Sequence, residues 1–155
     1  MRNLPERKRP VHRVIILPNR PTIVFVTVCT HKRLRCLASE QAHALLNDVW
    51  LKADSWQVGR YVVMPDHVHL FAAPTNPDVD LERWVRYWKS LFSRPYQKQM
   101  PIFRWQSGYW DTTLRWFDSY DQKWEYVRLN PVRHGLVQNP QDWPYQGELN
   151  VLAWF

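Results

Sequence analysis

The sequence predicts an α+β protein built as one domain, and three observations support this fold class. Runs of β-branched and aromatic residues of strand length alternate with segments whose apolar residues recur at the helical period. A proline–aspartate pair at 65–66 separates two of the strand-like runs, which is typical of a β-hairpin turn. The length of 155 residues suits a single hydrophobic core.

The first half of the chain predicts a strand, a helix and a hairpin. The run TIVFVTV predicts a first strand over 22–28. A helix is predicted over 39–56, beginning at Ser39, because its apolar residues share one face: Ala42, Leu45, Leu46, Val49 and Ala53. Two strands, over 58–64 and 67–73, then flank the turn.

The second half predicts two more helices around one strand. The segment 80–96 has the helical period, with an inward face formed by Leu81, Trp84, Val85, Trp88 and Leu91. A strand follows over 108–115, and a helix over 119–129 ends before Asn130-Pro131, since a residue preceding proline disfavours the helical region. The first six elements match the split βαβ, ferredoxin-like arrangement, an antiparallel sheet with helices on one face. A C-terminal helix is added to it.

The charge of +7 is concentrated at the N-terminus. Residues 1–35 hold nine of the 21 basic residues and one of the 14 acidic residues, so the remainder is nearly neutral. A cationic arm on a neutral body fits nucleic-acid phosphates, although an arm that only maintains solubility is as common. We expect a basic arm over 1–20, a domain over 21–146 and a tail over 147–155.

Several classes of protein are disfavoured by composition. We find no apolar run long enough for a membrane span and no signal-peptide pattern, so we expect a soluble, cytoplasmic protein. Cys29 and Cys36 have neither the spacing of a zinc site nor the density of a disulfide scaffold, and we interpret both as structural. The ten tryptophans are interpreted mainly as core, although exposed aromatic residues can also stack on unpaired bases.

Two histidines, His67 and His69, lie within an otherwise apolar strand-like run. Successive side chains of a strand alternate between its faces, so both imidazoles point the same way and Val68 points to the other face. This spacing brings two potential metal ligands to one point. An isolated His-x-His is nevertheless more often a pair of hydrogen-bonded structural histidines than a metal site.

A second pair of polar residues lies near the end of the last predicted helix. Tyr126 and Asn130 are four residues apart, so a hydroxyl and an amide oxygen project from one helical face. Considered alone, the segment favours a core-facing tyrosine and an asparagine that ends the helix.

Taken together, these segments resemble the single-tyrosine HUH transposases, and most closely the REP-associated tyrosine transposase branch. The motifs that carry the resemblance occur in order from residue 22 to residue 146: VFVT, MPDHVHLF, WKSLFSR, WQSGYWDTTLR and YVRLNPVRHGLV. The sequence departs from the pattern in two places. Thr112 stands where many relatives have a histidine, and the long N-terminal arm is not a feature of the family.

The resemblance implies a metal-dependent strand transferase. His67, His69 and Asn130 would hold a divalent metal, and Tyr126 would attack the scissile phosphate to give a 5′-phosphotyrosine and a free 3′-hydroxyl. The family points to Mg²⁺ or Mn²⁺, whereas affinity alone would favour zinc, nickel or copper. One phosphodiester replaces another, so no nucleotide cofactor is required, and the chain has no P-loop pattern.

The resemblance also implies the substrate and the assembly. The substrate would be single-stranded DNA with an imperfect hairpin of REP type, bound at the bacterial nucleoid. Insertion-sequence relatives are dimers, whereas the REP-associated branch acts as a monomer, and we expect a monomer here rather than a dimer. The candidate DNA-binding residues are Arg83, Arg86, Lys89 and Arg115, although a charged helix face is more often only solvated.

Two other functions compete with this hypothesis. A ferredoxin-like sheet can bind structured single strands without catalysis, as RNA-recognition domains do, but the aromatic strand pattern of those domains is missing. A metal-dependent hydrolase could use the two histidines with water, but Tyr126 would then have no role.

Overall fold

The computed structural model describes residues 14–155, so most of the predicted arm lies outside the described residues. Within them five strands form one sheet: β1 (Val24–Cys29), β2 (Trp56–Val63), β3 (His67–Pro74), β4 (Trp110–Thr113) and β5 (Gln146–Glu148). The helices are α1 (Glu40–Lys52), α2 (Leu81–Tyr96), α3 (Tyr120–Arg128) and a single turn, α4 (Asn130–Arg133), with short 3-10 turns at His31–Arg33 and Pro140–Asp142. No helix of this part of the chain is long and apolar enough to cross a bilayer.

The strand order confirms the predicted fold class. The sheet runs β4-β1-β3-β2-β5, and every neighbouring pair is antiparallel. Its first four strands have the order expected of a split βαβ fold, and β5 extends the edge beside β2. The sequence did not predict β5.

Local signals place most element boundaries. The Ser39 side chain accepts a hydrogen bond from the Ala42 amide and caps α1, and Asp80 caps α2 in the same way. The predicted end of the first helix at residue 56 is wrong, because α1 ends at Lys52 and Trp56 begins β2. The predicted stop before Asn130-Pro131 is confirmed, and the proline instead lies in the first turn of α4, where its missing amide proton costs nothing.

One face of the sheet packs against α1 and α2. Alternate residues of the central strands point to this face, including Val26 of β1 and Leu70 of β3. They meet a dense aromatic layer in which Trp56, Trp84 and Trp88 are all buried. This layer holds the larger of the two hydrophobic clusters.

The opposite face carries the histidines and packs against α3. Its smaller cluster includes Phe71 of β3, Tyr120 and Val127 of α3, and Trp143 and Leu152 from the C-terminal segment. The predicted boundary at residue 146 cuts through β5, and residues beyond it pack on the domain. We call this side of the sheet the histidine face.

Candidate active site

The register of the central strands brings His67 and His69 together on the histidine face. In the antiparallel pair, His67 lies opposite Cys29 and His69 lies opposite Thr27 of β1. The two imidazoles meet edge to face, and their Nε2 atoms are 3.2 Å apart. The predicted convergence of both rings on one point is therefore observed.

The ring of His69 is oriented by its neighbours on β1. Its Nδ1 lies 2.8 Å from the Thr27 hydroxyl, and the ring stacks on Phe25 with centroids 5.3 Å apart. Burial, followed by the nearby positive groups, places the pKa of His69 well below its ordinary value. His69 is therefore neutral at physiological pH, as a metal ligand must be.

The ring of His67 is held by an ion pair. Its Nδ1 donates to the Asp66 carboxylate at 2.7 Å, and the other carboxylate oxygen accepts from Arg33 Nε at 3.0 Å. Burial would raise the pKa of Asp66, but the hydrogen bonds from His67 and Arg33 together outweigh it and lower the pKa to about 2. Burial also lowers the pKa of His67, although Asp66 opposes this shift.

Arg33 reaches this position from an unusual turn. Lys32 and Arg33 have φ values of 54° and 55°, in the left-handed region that non-glycine residues seldom occupy. From this turn the Arg33 guanidinium also lies 3.3 Å from Cys29 Sγ and 3.4 Å from His67 Nδ1. The contacts at Asp66 and Cys29 offset the backbone strain, which is of the kind that clusters at functional sites.

The facing Nε2 atoms define what the histidine pair can bind. Asp66 accepts the proton on His67 Nδ1, so His67 Nε2 presents a lone pair. The Nε2 atom of His69 lies 3.2 Å away. It either donates a proton to His67 Nε2 or presents a second lone pair, in which case both lone pairs can bind one shared cation. Metal-ligating histidines typically donate their other nitrogen to a carboxylate or a polar oxygen, as both rings can here. The residues present fit a divalent metal.

A third ligand is not supplied by another acid, cysteine or histidine. Within residues 14–155 no group of three such side chains lies close enough to hold a metal ion. Asn130 begins α4, and its Nδ2 donates to the Val127 carbonyl at 2.8 Å, which leaves Oδ1 for another partner. His134 stands beside the pair, with its ring 6.3 Å from that of His67 and its Nδ1 2.9 Å from the Asn130 carbonyl.

Tyr126 projects from α3 into solvent. It is 68% exposed, and the Arg133 guanidinium lies 4.2 Å from its ring centre. In the described part of the chain no hydrogen bond or ring contact joins Tyr126 to His67 or His69. Tyr120, on another face of the helix, is buried against Phe71, and its hydroxyl oxygen accepts a hydrogen bond from the Arg60 amide at 3.0 Å. Burial raises the pKa of Tyr120 to about 12.

An open cavity adjoins His67. Its volume is about 410 Å³, and its lining includes Arg35, Asp66, Arg133 and His134. The two arginines of this lining make the cavity a suitable site for an anion, because the Asp66 carboxylate is already paired with Arg33.

The predicted DNA-binding residues lie in three different settings, one of which is the exposed turn between β4 and α3 that holds Arg115. Arg83 and Arg86 are exposed on α2, on the layer behind the sheet from the histidines. Lys89 instead donates to the Gln106 and Gly108 carbonyls, at 2.9 and 3.2 Å, and burial lowers its pKa to about 8. This ammonium is used within the protein, so its predicted contact with DNA stays a prediction without geometric support.

Sequence reasoning missed part of this site. From the sequence, Asp66 is interpreted only as a turn residue. Its position directly before His67 is a signal that could indicate a partner for the imidazole. His134 lies four residues after Asn130, which is the spacing of neighbours on a helix. Nothing in the sequence indicates that Arg33 belongs to the site, because only the left-handed turn brings its side chain to Asp66.

Comparisons with known proteins show the family and the fold. A sequence model of the family described as IS200-like transposases matches residues 20–127. The REP-associated tyrosine transposase of Escherichia coli K12 is 28% identical over 127 residues, which cover 78% of this chain and 73% of that protein. A structure of a REP-associated tyrosine transposase bound to a REP hairpin superposes with a TM-score of 0.71 at 23% identity, over 90% of this chain and 81% of its own. A crystal structure from Deinococcus radiodurans, provisionally described as a transposase, superposes with a TM-score of 0.54 at 20% identity. The match covers 77% of this chain and 95% of that one.

Proposed function

The chain belongs to the IS200-like transposase family, and from this premise we propose that it cleaves and rejoins single-stranded DNA near REP-like hairpins in a metal-dependent reaction. The observation that carries the proposal is the pair of facing Nε2 atoms, 3.2 Å apart, whose outer nitrogens lie beside Asp66 and Thr27. Such an arrangement orients two neutral imidazoles toward one cation.

We assign His67, His69 and the Asn130 amide oxygen as the groups that would hold the metal, Mg²⁺ or Mn²⁺. When bound, the ion would offset negative charge that develops on the non-bridging oxygens of the scissile phosphate. Asp66 contributes by fixing the His67 ring, and Thr27 by fixing the His69 ring. Arg33 balances the charge of Asp66, so the carboxylate orients its histidine without being bound to a metal itself.

Tyr126 is proposed as the nucleophile. Its hydroxyl oxygen would form a bond to phosphorus while the bond from phosphorus to the 3′-oxygen breaks. The phenolic proton leaves to solvent, and the departing 3′-oxygen takes a proton to become a 3′-hydroxyl. The product is a 5′-phosphotyrosine, and attack by a 3′-hydroxyl on this bond reverses the step and rejoins a strand. Arg133 orders the ring and adds positive charge beside it.

The cavity beside His67 offers a position for the DNA backbone next to the proposed metal site. Arg35 and Arg133 line it, and both guanidinium groups match phosphate geometry. The Escherichia coli relative is named a REP-associated transposase, and the structural neighbour is bound to a REP hairpin; both support hairpins of this kind as the substrate class.

The test is the covalent adduct itself. DNA that folds into a hairpin with an unpaired flank is incubated with the protein and Mn²⁺, labelled in parallel at its 3′ or 5′ end. The 3′ label should migrate with the protein on a denaturing gel, while the 5′ label should appear on a shorter strand with an extendable 3′-hydroxyl.

Tyr126→Phe should abolish the adduct but leave hairpin affinity within a few fold, because only one hydroxyl is removed. Tyr87→Phe is the matched control, since Tyr87 is also exposed but lies on α2. Cleavage without an adduct would identify a hydrolase, and binding with neither would identify a non-catalytic module.

A further inference from the structure

A turn of three exposed residues, Arg115-Trp116-Phe117, precedes the helix that carries Tyr126. All ten tryptophans lie within residues 14–155, and nine of them are buried or half-buried, whereas Trp116 is 72% exposed. Phe117 beside it is 58% exposed. Large apolar side chains exposed together on a surface commonly mark a site of interaction.

The turn, which we call the aromatic turn, is fixed in place by the residues that follow it. The Arg115 amide donates to the Asp118 carboxylate at 2.7 Å, and the Trp154 indole donates to the Asp118 carbonyl at 2.7 Å. Ser119 then caps α3 by accepting from the Gln122 amide. The exposed rings are therefore held on an ordered backbone, and little conformational entropy is lost when a partner binds to them.

The chemistry of the aromatic turn suits a nucleobase. Trp116 and Phe117 meet edge to face, and the Arg115 guanidinium lies 4.5 Å from the Phe117 ring centre. Aromatic rings beside an arginine are the means by which proteins stack unpaired bases and contact their phosphates. A base has a flat apolar face and a charged backbone, and the turn presents a complement to each.

Basic groups accompany the acids on the surface between the turn and Tyr126. Lys123 lies four residues after Ser119 and three before Tyr126, so these residues share one face of α3. Each acid of this stretch is paired with a basic group: Asp118 with Arg115 at 3.5 Å and Lys123 at 4.0 Å, Asp121 with Arg60 at 2.7 Å, and Glu125 with Arg128 at 3.0 Å. Arg133 lies over the ring of Tyr126. The negative charges between the aromatic turn and the candidate nucleophile are therefore offset by neighbouring cations.

We propose that the aromatic turn stacks an unpaired base of the single strand that leads to the scissile phosphate at Tyr126. This inference rests on the proposed function and extends it to a specific contact. About 9 Å of helical rise separates Tyr120 from Tyr126. At about 3.4 Å between stacked nucleotides, this rise places the contacted base about three nucleotides from the phosphate that Tyr126 attacks.

Affinity for two DNAs tests the proposal. One DNA is the hairpin alone, and the other carries an unpaired flank of six thymidines. Trp116→Ala should weaken binding of the flanked DNA roughly tenfold and leave binding of the bare hairpin unchanged. Trp116→Phe should restore most of the loss, because a phenyl ring still stacks. Tyr87→Ala, which removes an exposed aromatic ring on the other layer, should change neither affinity.

A fluorescent base then locates the contact. When 2-aminopurine is placed at successive flank positions, one position should be quenched by the wild-type protein and should recover with Trp116→Ala. Equal losses on both DNAs, no loss on either, or no position whose quenching depends on Trp116 would overturn the proposal. The covalent adduct, measured in parallel, distinguishes this failure from failure of the proposed function, since an active protein without the stacking contact still forms the adduct.

Discussion

The two faces of the sheet are built from the same strands but differ in whether their buried polar atoms have hydrogen-bond partners. On the face toward α1 and α2, aromatic side chains dominate, and among the described residues the indole nitrogens of Trp50 and Trp88 have no hydrogen-bond partner. On the histidine face, the buried polar side chains of Thr27, Asp66 and His67 are all hydrogen-bonded. The stabilisation from a large apolar layer exceeds the desolvation free energy lost at an unpaired indole nitrogen. A candidate active site, in contrast, requires each polar atom to have a fixed partner.

The difference teaches that strand alternation separates stability from chemistry within one segment. Neighbouring residues of β3 serve the two faces in turn, so a substitution one position along should change a different property. The predictions below use this separation.

The largest effect is expected on metal binding. His67→Ala combined with His69→Ala should remove measurable Mn²⁺ affinity, because both imidazoles are lost. Val68→Ala should keep Mn²⁺ affinity but lower the free energy of unfolding by about 1–3 kcal/mol, through the cavity left in the first face. Calorimetric titration and urea denaturation measure the two quantities. Undiminished Mn²⁺ affinity in the double variant would make both histidines structural.

A smaller effect is expected when the support of His67 is removed. Asp66→Asn eliminates the charge that pairs with Arg33 and weakens the orientation of the imidazole. Loss of such an outer partner typically lowers metal affinity by about 10- to 100-fold. Asp48→Asn, at an exposed position on α1, is the control. If Asp66→Asn binds Mn²⁺ as tightly as the wild type, the ion pair serves the fold alone.

The pH dependence of stability should also report on the histidine face. Burial lowers the pKa of His67 and of His69 in the folded state, so the unfolded chain binds more protons once the pH falls below about 6.5. The free energy of unfolding should therefore fall below that pH, by up to about 1.4 kcal/mol per pH unit for each histidine. Asp66 contributes in a separate window, since its lowered pKa matters only below about pH 4.

Urea denaturation between about pH 7 and pH 5 measures this slope. The double histidine variant should flatten it, whereas His43→Ala on α1 should remove only the share due to His43, whose pKa is also lowered by burial. An identical slope in the wild type and the double variant would contradict the assignment.

The smallest effect concerns Lys89 on α2. Lys89→Met removes the ammonium that binds two carbonyls and should lower the free energy of unfolding by about 1–2 kcal/mol, with DNA affinity unchanged. Arg86→Met, on the exposed side of the same helix, is the matched control. Weaker DNA binding at unchanged stability would instead support the phosphate contact predicted from the sequence.

These contrasts also explain how much was predictable. Alternation in HVH placed both histidines on one face, and the element order predicted the topology, because both follow from local periodicity. The site around them depends on long-range geometry. Arg33 reaches Asp66 through a left-handed turn that no composition signals, and Lys89 turns inward from a helix position that its charge alone would place in solvent. The short strand β5 has no β-branched residues to reveal it.

The position of Leu152 and Trp143 within the histidine face has a consequence for synthesis of the chain. The cluster toward α1 and α2 draws its buried members from residues 24–109, whereas the histidine-face cluster needs Trp143 and Leu152. Domains begin to form while the ribosome adds about 5–20 residues per second. The supporting layer can therefore assemble on the nascent chain, but the histidine face closes only after residue 152 has emerged. A ribosome-bound fragment would be partly folded, with its candidate active site still incomplete.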